Sequence, residues 1–140
     1  MRIEVGVGVV VADARVLVCR RRDDAWGGYW EFPGGKCEDG ESAVECVRRE
    51  LREELGIEVD IDRRLPPLEH FYAERDRSVK LLPFLCRLAD TSPPPRVIEV
   101  AEHRWCDPRN LPALRFLPAN GPLIRSVLEA LEISRLDPAG

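Results

Sequence analysis

The sequence predicts a mixed α/β fold, and three stretches carry that reading. Ile3, Val5, Val7, Val9 and Val11 recur at every second position, which is the period of a strand. From Ser42 to Leu55 the apolar residues Val44, Val47, Leu51 and Leu55 fall on one helical stripe, and Gly56 follows as a stop. Leu123 to Leu136 carries a second helical pattern. Strands flanking a central helix, with another helix closing the chain, give the mixed class.

The elements follow in order. Residues 3–11 form the first strand, Ala12 to Arg15 a turn, and Val16 to Cys19 a second strand that completes a hairpin. Arg20, Arg21 and Arg22 lead into a loop that contains Gly27 and Gly28. Pro33-Gly34-Gly35 is expected to break regular structure and to let the backbone approach a neighbour closely. After the helix, Val59 to Ile61, Leu68 to Tyr72 and Val79 to Leu88 read as strands, the last two separated by the polar turn Glu74 to Ser78. Thr91 to Pro95 is a stiff loop. Arg104 to Cys106 is one more short strand before a proline-bounded loop and the terminal helix.

Size and charge narrow the function classes. A chain of 140 residues corresponds to one domain, spanning 1–140, and 44% hydrophobic residues suffice for a core. The longest apolar run, Val5 to Ala12, is far too short to cross a bilayer, and no secretory leader is readable. The net charge of -4 argues against non-specific binding to long nucleic acid, but leaves room for a small anionic substrate held by a local basic patch or a metal. Five widely spaced cysteines without a C-x-x-C pair argue against a zinc site or disulfide framework and point to a reducing cytoplasm. The sequence is silent on oligomeric state.

The central helix concentrates charge. Glu50, Glu53 and Glu54 lie within an arc of about 100°. Like charges at i,i+3 and i,i+4 each cost a helix roughly 0.2–0.5 kcal/mol. Glu53 and Glu54 also sit near the C-terminal end, where the dipole disfavours anions. Arg49 and Arg52 relieve part of this. A hard divalent cation, Mg²⁺ or Mn²⁺, held by the carboxylates and a carbonyl of the glycine turn, would relieve the rest. A solvated charged helix face is the plain alternative, and helix composition alone leaves both open.

The whole stretch Gly35, Glu41, Arg49-Glu50-Leu51-Arg52-Glu53-Glu54-Leu55-Gly56-Ile57 resembles the Nudix box, G-x5-E-x7-R-E-U-x-E-E-x-G-U with U aliphatic, at every specified position. Seven fixed letters, each at about one in fifteen, agree by chance on the order of 10⁻⁸ per start position. The resemblance implies an α/β/α sandwich with a mixed β-sheet, and metal-dependent cleavage of a nucleoside diphosphate linked to another group. It implies Gly35, Glu50, Glu53 and Glu54 as metal ligands, Arg49 as a residue orienting a box carboxylate, and Glu41 as an electrostatic aid or outer ligand. Metal ions neutralise polyphosphate charge and activate water. The proton acceptor is a box glutamate or one from a later loop.

Beyond the box, Val16 to Arg21, Trp30 to Lys36, Asp76-Arg77 and Leu117 to Ile124 resemble the MutT type, the 8-oxo-dGTP diphosphatases. That resemblance implies Arg21, Phe32, Lys36, Arg77 and Asn120 as substrate contacts, with Asn120 reading the base. It also implies an additional metal-binding or base glutamate, with Glu99 matching the spacing to Trp105 and Glu102 held in reserve. Each has a plain structural reading beside it. Asn120 precedes Gly121-Pro122 and is a good helix cap. Phe32 fits a core, Arg20 or Arg22 replaces Arg21 if the register slips, Arg77 suits a solvated turn, and Glu99 and Glu102 suit a loop.

Asn120 has chemistry of its own. A carboxamide offers one donor and one acceptor, which matches 8-oxoguanine, whose N7 carries a hydrogen beside O6; adenine also presents a donor–acceptor pair, so Asn120 alone leaves the base open. Relatives acting on CTP tend to carry aspartate there. The expected activity is therefore hydrolysis of 8-oxo-dGTP to 8-oxo-dGMP and pyrophosphate, a mutation-avoidance role, with CTP, dCTP or other modified nucleotides as the alternative. A non-catalytic nucleotide-sensing domain is disfavoured because all box glutamates are present. A lesion-recognition domain is disfavoured because no glycosylase domain precedes it.

Overall fold

The computed structural model describes residues 2–22 and 28–131. Parts of the predicted arginine-following loop (23–27) and terminal helix (132–136) lie outside the described residues.

Eight strands form a mixed sheet with a helix against each face. The strands are β1 (Arg2–Ala12), β2 (Arg15–Arg20), β3 (Trp30–Glu31), β4 (Gly34–Lys36), β5 (Val59–Arg64), β6 (Leu68–Tyr72), β7 (Arg77–Leu88) and β8 (Glu102–Cys106). The helices are α1 (Ala43–Leu55) and α2 (Gly121–Ala130). The main path runs β3-β2-β1-β7-β5, with β4 also paired to β1, β6 to β7 and β8 to β2. Only the β1–β7 pair is parallel among these; the other pairs are antiparallel.

The period-2 pattern of β1 builds both layers. Val7 and Val9 face the cluster that holds Leu123 and Val127 of α2. Val10 faces the cluster that holds Val47, Leu51 and Leu55 of α1. Gly6 and Gly8 share the α1 side, where a Cβ would meet Cys46 and Val47 at Gly6 and Leu51 at Gly8. The glycines between the valines thus let α1 lie directly on the strand. The result is the expected α/β/α sandwich.

Helix α1 starts where the sequence predicts. The Ser42 side chain accepts from the Glu45 N–H and Glu45 accepts from the Ser42 N–H, a reciprocal cap. Gly56 ends it at φ 66, its N–H bonded to the carbonyl of Arg52. Of the predicted stripe, Val47, Leu51 and Leu55 are buried; Cys46 joins them, and Val44 is half-buried.

Two expectations need correcting. The strand run does break at Phe32-Pro33, between β3 and β4, but Gly34-Gly35 does not interrupt regular structure. It forms β4, whose register on β1 pairs Gly6 with Gly35 and Val7 with Gly34. The close approach was right, since a Cβ on Gly34 would overlap the Gly6 backbone. The strand predicted at 59–61 extends to Arg64 because β5 continues along β7 past an irregularity between Ile61 and Arg63. The hairpin turn is the two residues Asp13 and Ala14, both at positive φ, joining β1 and β2 in the register Ala12 to Arg15.

Candidate active site

The capped start of α1 and its packing on β1 fix which way the box carboxylates point. Glu50 and Glu54 face β4, where the Gly34 N–H donates to Glu54 Oε1 at 2.9 Å. A Cβ on Gly35 would occupy the space of the Glu50 carboxylate. The Cys46 thiol lies 3.4 Å from the Gly35 carbonyl. Glu53 points outward, its side chain 46% exposed.

Arg49 ties the box together. Its guanidinium bonds Glu41 at 2.7 and 3.0 Å, Glu50 at 2.9 Å and Glu53 at 3.2 Å, and donates to the Lys36 carbonyl at 2.9 Å. The bonds from Arg49 lower the Glu41 pKa to about 2. Glu41 also accepts from the Glu38 N–H. Burial raises Glu50, against the pull of Arg49. Glu54 is pushed up to about 8, first by burial and then by the charge of Glu31, with Glu50 and Glu99 adding to it.

Glu99 reaches the same place from another segment. The N–H groups of Ile98 and Glu99 both donate to the Glu54 carbonyl at 3.2 Å, pinning the loop before β8 to the end of α1. A cleft of about 660 Å³ opens there, lined by Glu54, Glu99, Gly34, Gly35, Lys36 and the arginines 21 and 22, among others. Two smaller pockets continue from it and share Val5 and Arg21. One, of about 130 Å³, reaches Phe32, Tyr72 and Asn120. The other, of about 210 Å³, reaches Lys36, Tyr72 and Arg77.

Most of the expected contacts therefore converge. Arg21 lines all three spaces and Arg22 lines the largest, while Arg20 is drawn off to Glu102 at 2.9 Å. Phe32 is 2% exposed in the core, as its core reading expects, and it also borders the 130 Å³ pocket. Asn120 is 5% exposed and makes no cap bond to α2. Its Oδ1 instead accepts the Phe32 N–H at 3.2 Å. The cap reading is thereby overturned. Because the backbone partner is a donor, the amide orientation is fixed. Nδ2, with no acceptor among the described residues, is left to the pocket that Asn120 lines.

Glu102 does not reach the cleft. Its carboxylate is held by Arg20 and lies 3.5 Å from Arg104, which lowers its pKa. Of the two late glutamates only Glu99 stays with the site. Glu31 was not foreseen. It lines the cleft and the 130 Å³ pocket and lies 3.4 Å from Arg21. The period of 2 marks it: Trp30 and Phe32 bury on the α2 side, so Glu31 must face the side of the box carboxylates.

The donor set offered to a cation is oxygen throughout, which suits Mg²⁺ or Mn²⁺. Among the described residues no three His, Cys, Asp or Glu side chains gather closely enough to hold an ion by themselves. Arg49 draws Glu53 aside. The fit rests on Glu50 and Glu54 against the glycine strand, where the space of a side chain at Gly35 is filled by a carboxylate.

Known proteins place this arrangement. The family model described as "NUDIX domain" matches residues 2–127. An 8-oxo-dGTP diphosphatase of Proteus vulgaris is 47% identical over 49 residues, which is 35% of this chain and 44% of that one. A CTP pyrophosphohydrolase of Escherichia coli strain K12 is 31% identical over 139 residues, 95% of this chain and 96% of that one. The crystal structure of a MutT Nudix hydrolase from Burkholderia pseudomallei superposes with a TM-score of 0.81 at 25% identity, covering 91% of this chain and 98% of that one.

Proposed function

The chain belongs to the Nudix family of hydrolases, and from that premise we propose that it cleaves 8-oxo-dGTP to 8-oxo-dGMP and pyrophosphate, with Mg²⁺ as its cofactor. Pyrophosphohydrolase chemistry follows from the family. The substrate rests on one observation, the orientation of the Asn120 amide.

Nδ2 of Asn120 is a donor aimed at the pocket, and it complements a keto oxygen such as O6. Oδ1 keeps a second lone pair beyond the Phe32 N–H, and that lone pair suits a protonated N7. Ordinary guanine has no hydrogen at N7 and sets acceptor against acceptor. Adenine also presents a donor–acceptor pair, its N6 amino group to Oδ1 and its N7 to Nδ2, so the amide disfavours ordinary guanine rather than every other base. The second reading, CTP, is supported by the Escherichia coli relative that matches nearly the whole chain.

The phosphates are assigned to the larger cleft. A divalent cation there would neutralise phosphate charge and supply activated water. Glu50 and Glu54 are the residues assigned to hold it, with Glu99 as outer ligand or proton acceptor. Arg49 fixes the rotamer of Glu50. Arg21, Lys36 and Arg77 supply positive charge along the path from metal to base. The substrate's three spaces join at Val5 and Arg21, so a nucleotide can lie across all of them.

The test is chromatography of products from a nucleotide panel with Mg²⁺, Mn²⁺ or EDTA. Metal-dependent release of pyrophosphate with 8-oxo-dGTP first supports the reading. Orthophosphate release, or equal rates with 8-oxo-dGTP and dGTP, overturns it.

A further inference from the structure

Glu31 belongs to neither the box nor the base contacts, yet β3 delivers it into the site. Trp30 and Phe32 bury in the cluster under α2, so the residue between them faces the box carboxylates. It is paired in register with Cys19 of β2. Its side chain is 17% exposed, and Arg21 Nη1 lies 3.4 Å from each carboxylate oxygen. A carboxylate in this place has a cost. After burial, its charge is the largest influence raising the Glu54 carboxyl. It also borders the cleft assigned to phosphates, whose charge it repels. Arg21 offsets part of that repulsion.

Its location shows what the carboxylate is there to meet. Among the described residues, Val5, Arg21, Glu31 and Gly34 line both the large cleft and the 130 Å³ pocket. With the base in the pocket and the phosphates in the cleft, the sugar lies across that junction. A sugar hydroxyl brings a donor. The Val5 side chain is only carbon, Arg21 has only donors, and Gly34 turns its N–H to Glu54 at 2.9 Å. Among these four, Glu31 is the one side-chain acceptor, and an ionised carboxylate accepts about four bonds. The next residue carries the base contact, since the Phe32 N–H donates to Asn120 Oδ1 at 3.2 Å. Sugar and base contacts therefore hang on consecutive residues, and the backbone fixes their spacing.

We propose that Glu31 binds the substrate's sugar: its carboxylate accepts a hydrogen bond from the 3′-hydroxyl and so selects nucleotides that carry one. This rests on the nucleotide reading above, but not on which base is read. Deoxynucleotides and ribonucleotides share the 3′-hydroxyl, so the contact serves 8-oxo-dGTP and CTP alike. A carboxylate suits the task, because its bond to a neutral hydroxyl is charge-assisted and stronger than one between neutral groups. Acidic side chains take sugar hydroxyls in the same way in dinucleotide sites.

The experiment crosses protein variants with sugar variants. Wild type, Glu31→Gln and Glu31→Ala are each given the triphosphate that the wild type hydrolyses fastest and its 3′-deoxy counterpart. The ratio of kcat/KM for the two nucleotides is taken within each protein, so a difference in folded fraction cancels. The wild type is expected to favour the hydroxyl by about tenfold or more, the worth of a bond to a charged group. Glu31→Gln keeps a neutral acceptor and should retain about threefold, and Glu31→Ala should discriminate less than about twofold. A wild type indifferent to the hydroxyl overturns the proposal. So does a Glu31→Ala ratio equal to that of the wild type, which would leave Glu31 steadying Arg21 or serving the metal. The base is judged separately: if CTP leads and its ratio still collapses in Glu31→Ala, the 8-oxo-dGTP reading falls and the sugar contact stands. A second readout needs no turnover. In calorimetry with Mg²⁺, the wild type should bind the deoxynucleoside monophosphate about tenfold more tightly than its 2′,3′-dideoxy form, and Glu31→Ala should bind both alike. Equal affinities in the wild type overturn the proposal, and a protein that neither binds nor hydrolyses any nucleotide overturns it together with the nucleotide reading.

Discussion

The carboxylate of Glu50 stands where a side chain on Gly35 would stand. Strand and helix share this contact, and the glycine is what allows it. The Gly35 backbone is not in the left-handed region, so the requirement is space and not φ. The nearest atoms are the far end of a flexible side chain, which can swing away.

Gly35→Ala is therefore expected to fold and to fail as an enzyme. Glu50 yields and the protein melts close to wild type, while the carboxylate leaves its place. Misplacement of a reacting-site group by about 1 Å costs on the order of 10²-fold in rate. Thermal melting beside kcat/KM checks this. A large drop in melting temperature with activity per folded molecule preserved would contradict it.

Glu41 makes a pH prediction whose sign follows from Arg49. Its pKa falls from 4.5 to about 2 in the folded protein, through the Arg49 hydrogen bonds first. A depressed carboxyl contributes stability above its unfolded value, and that contribution is lost as pH falls from 4.5 toward about 2. Glu41→Gln should be less stable than wild type at neutral pH, and the two should converge over that acid range. Melting curves measured from pH 6 downward test it; curves that stay parallel throughout would refute it.

Glu54 should trade stability for metal. Its buried carboxyl sits beside Glu31, Glu50 and Glu99 and bonds the Gly34 N–H. Glu54→Gln keeps an acceptor for that N–H and removes the buried charge. In EDTA at alkaline pH the variant is expected to melt no lower than wild type, since an uncompensated buried charge is costly. Its stabilisation by added Mg²⁺ or Mn²⁺ should be lost along with turnover. A variant stabilised by metal as strongly as the wild type would remove Glu54 from the cation site.

The site was legible in the sequence to different depths. The box spacing pointed to Gly35, Arg49, Glu50 and Glu54, because helical periodicity is local and the glycine stop and Ser42 start mark its ends. Glu53 was grouped with them by the helical arc and by the box resemblance; the structure shows it 46% exposed and 3.2 Å from Arg49 at i-4, a pairing that the arc does not reveal. Long-range pairing is what the sequence hid. Glu102 is spent on Arg20, 82 positions away, because β2 and β8 lie side by side with those two residues in register. Nor does any local signal connect Asn120 with Phe32. The glycine pair was read as a breaker because β4 is only three residues long and has little pattern to show.

Asn120→Asp isolates base reading. The Phe32 N–H retains an oxygen acceptor, but the atom facing the pocket changes from donor to acceptor. A matched base contact is worth about 1–3 kcal/mol, so kcat/KM for 8-oxo-dGTP should fall by roughly tenfold or more. CTP, with its amino donor, should fall less or rise. Equal losses for both nucleotides would return Asn120 to a purely structural role.

The most direct measurement is the ratio of kcat/KM for 8-oxo-dGTP to those for dGTP and CTP, with the wild-type protein at one Mg²⁺ concentration and pyrophosphate as the product followed. The account predicts 8-oxo-dGTP ahead of both by about tenfold or more, the value of one well-made base contact, with no turnover in EDTA. CTP in the lead, or three equal values, would contradict it.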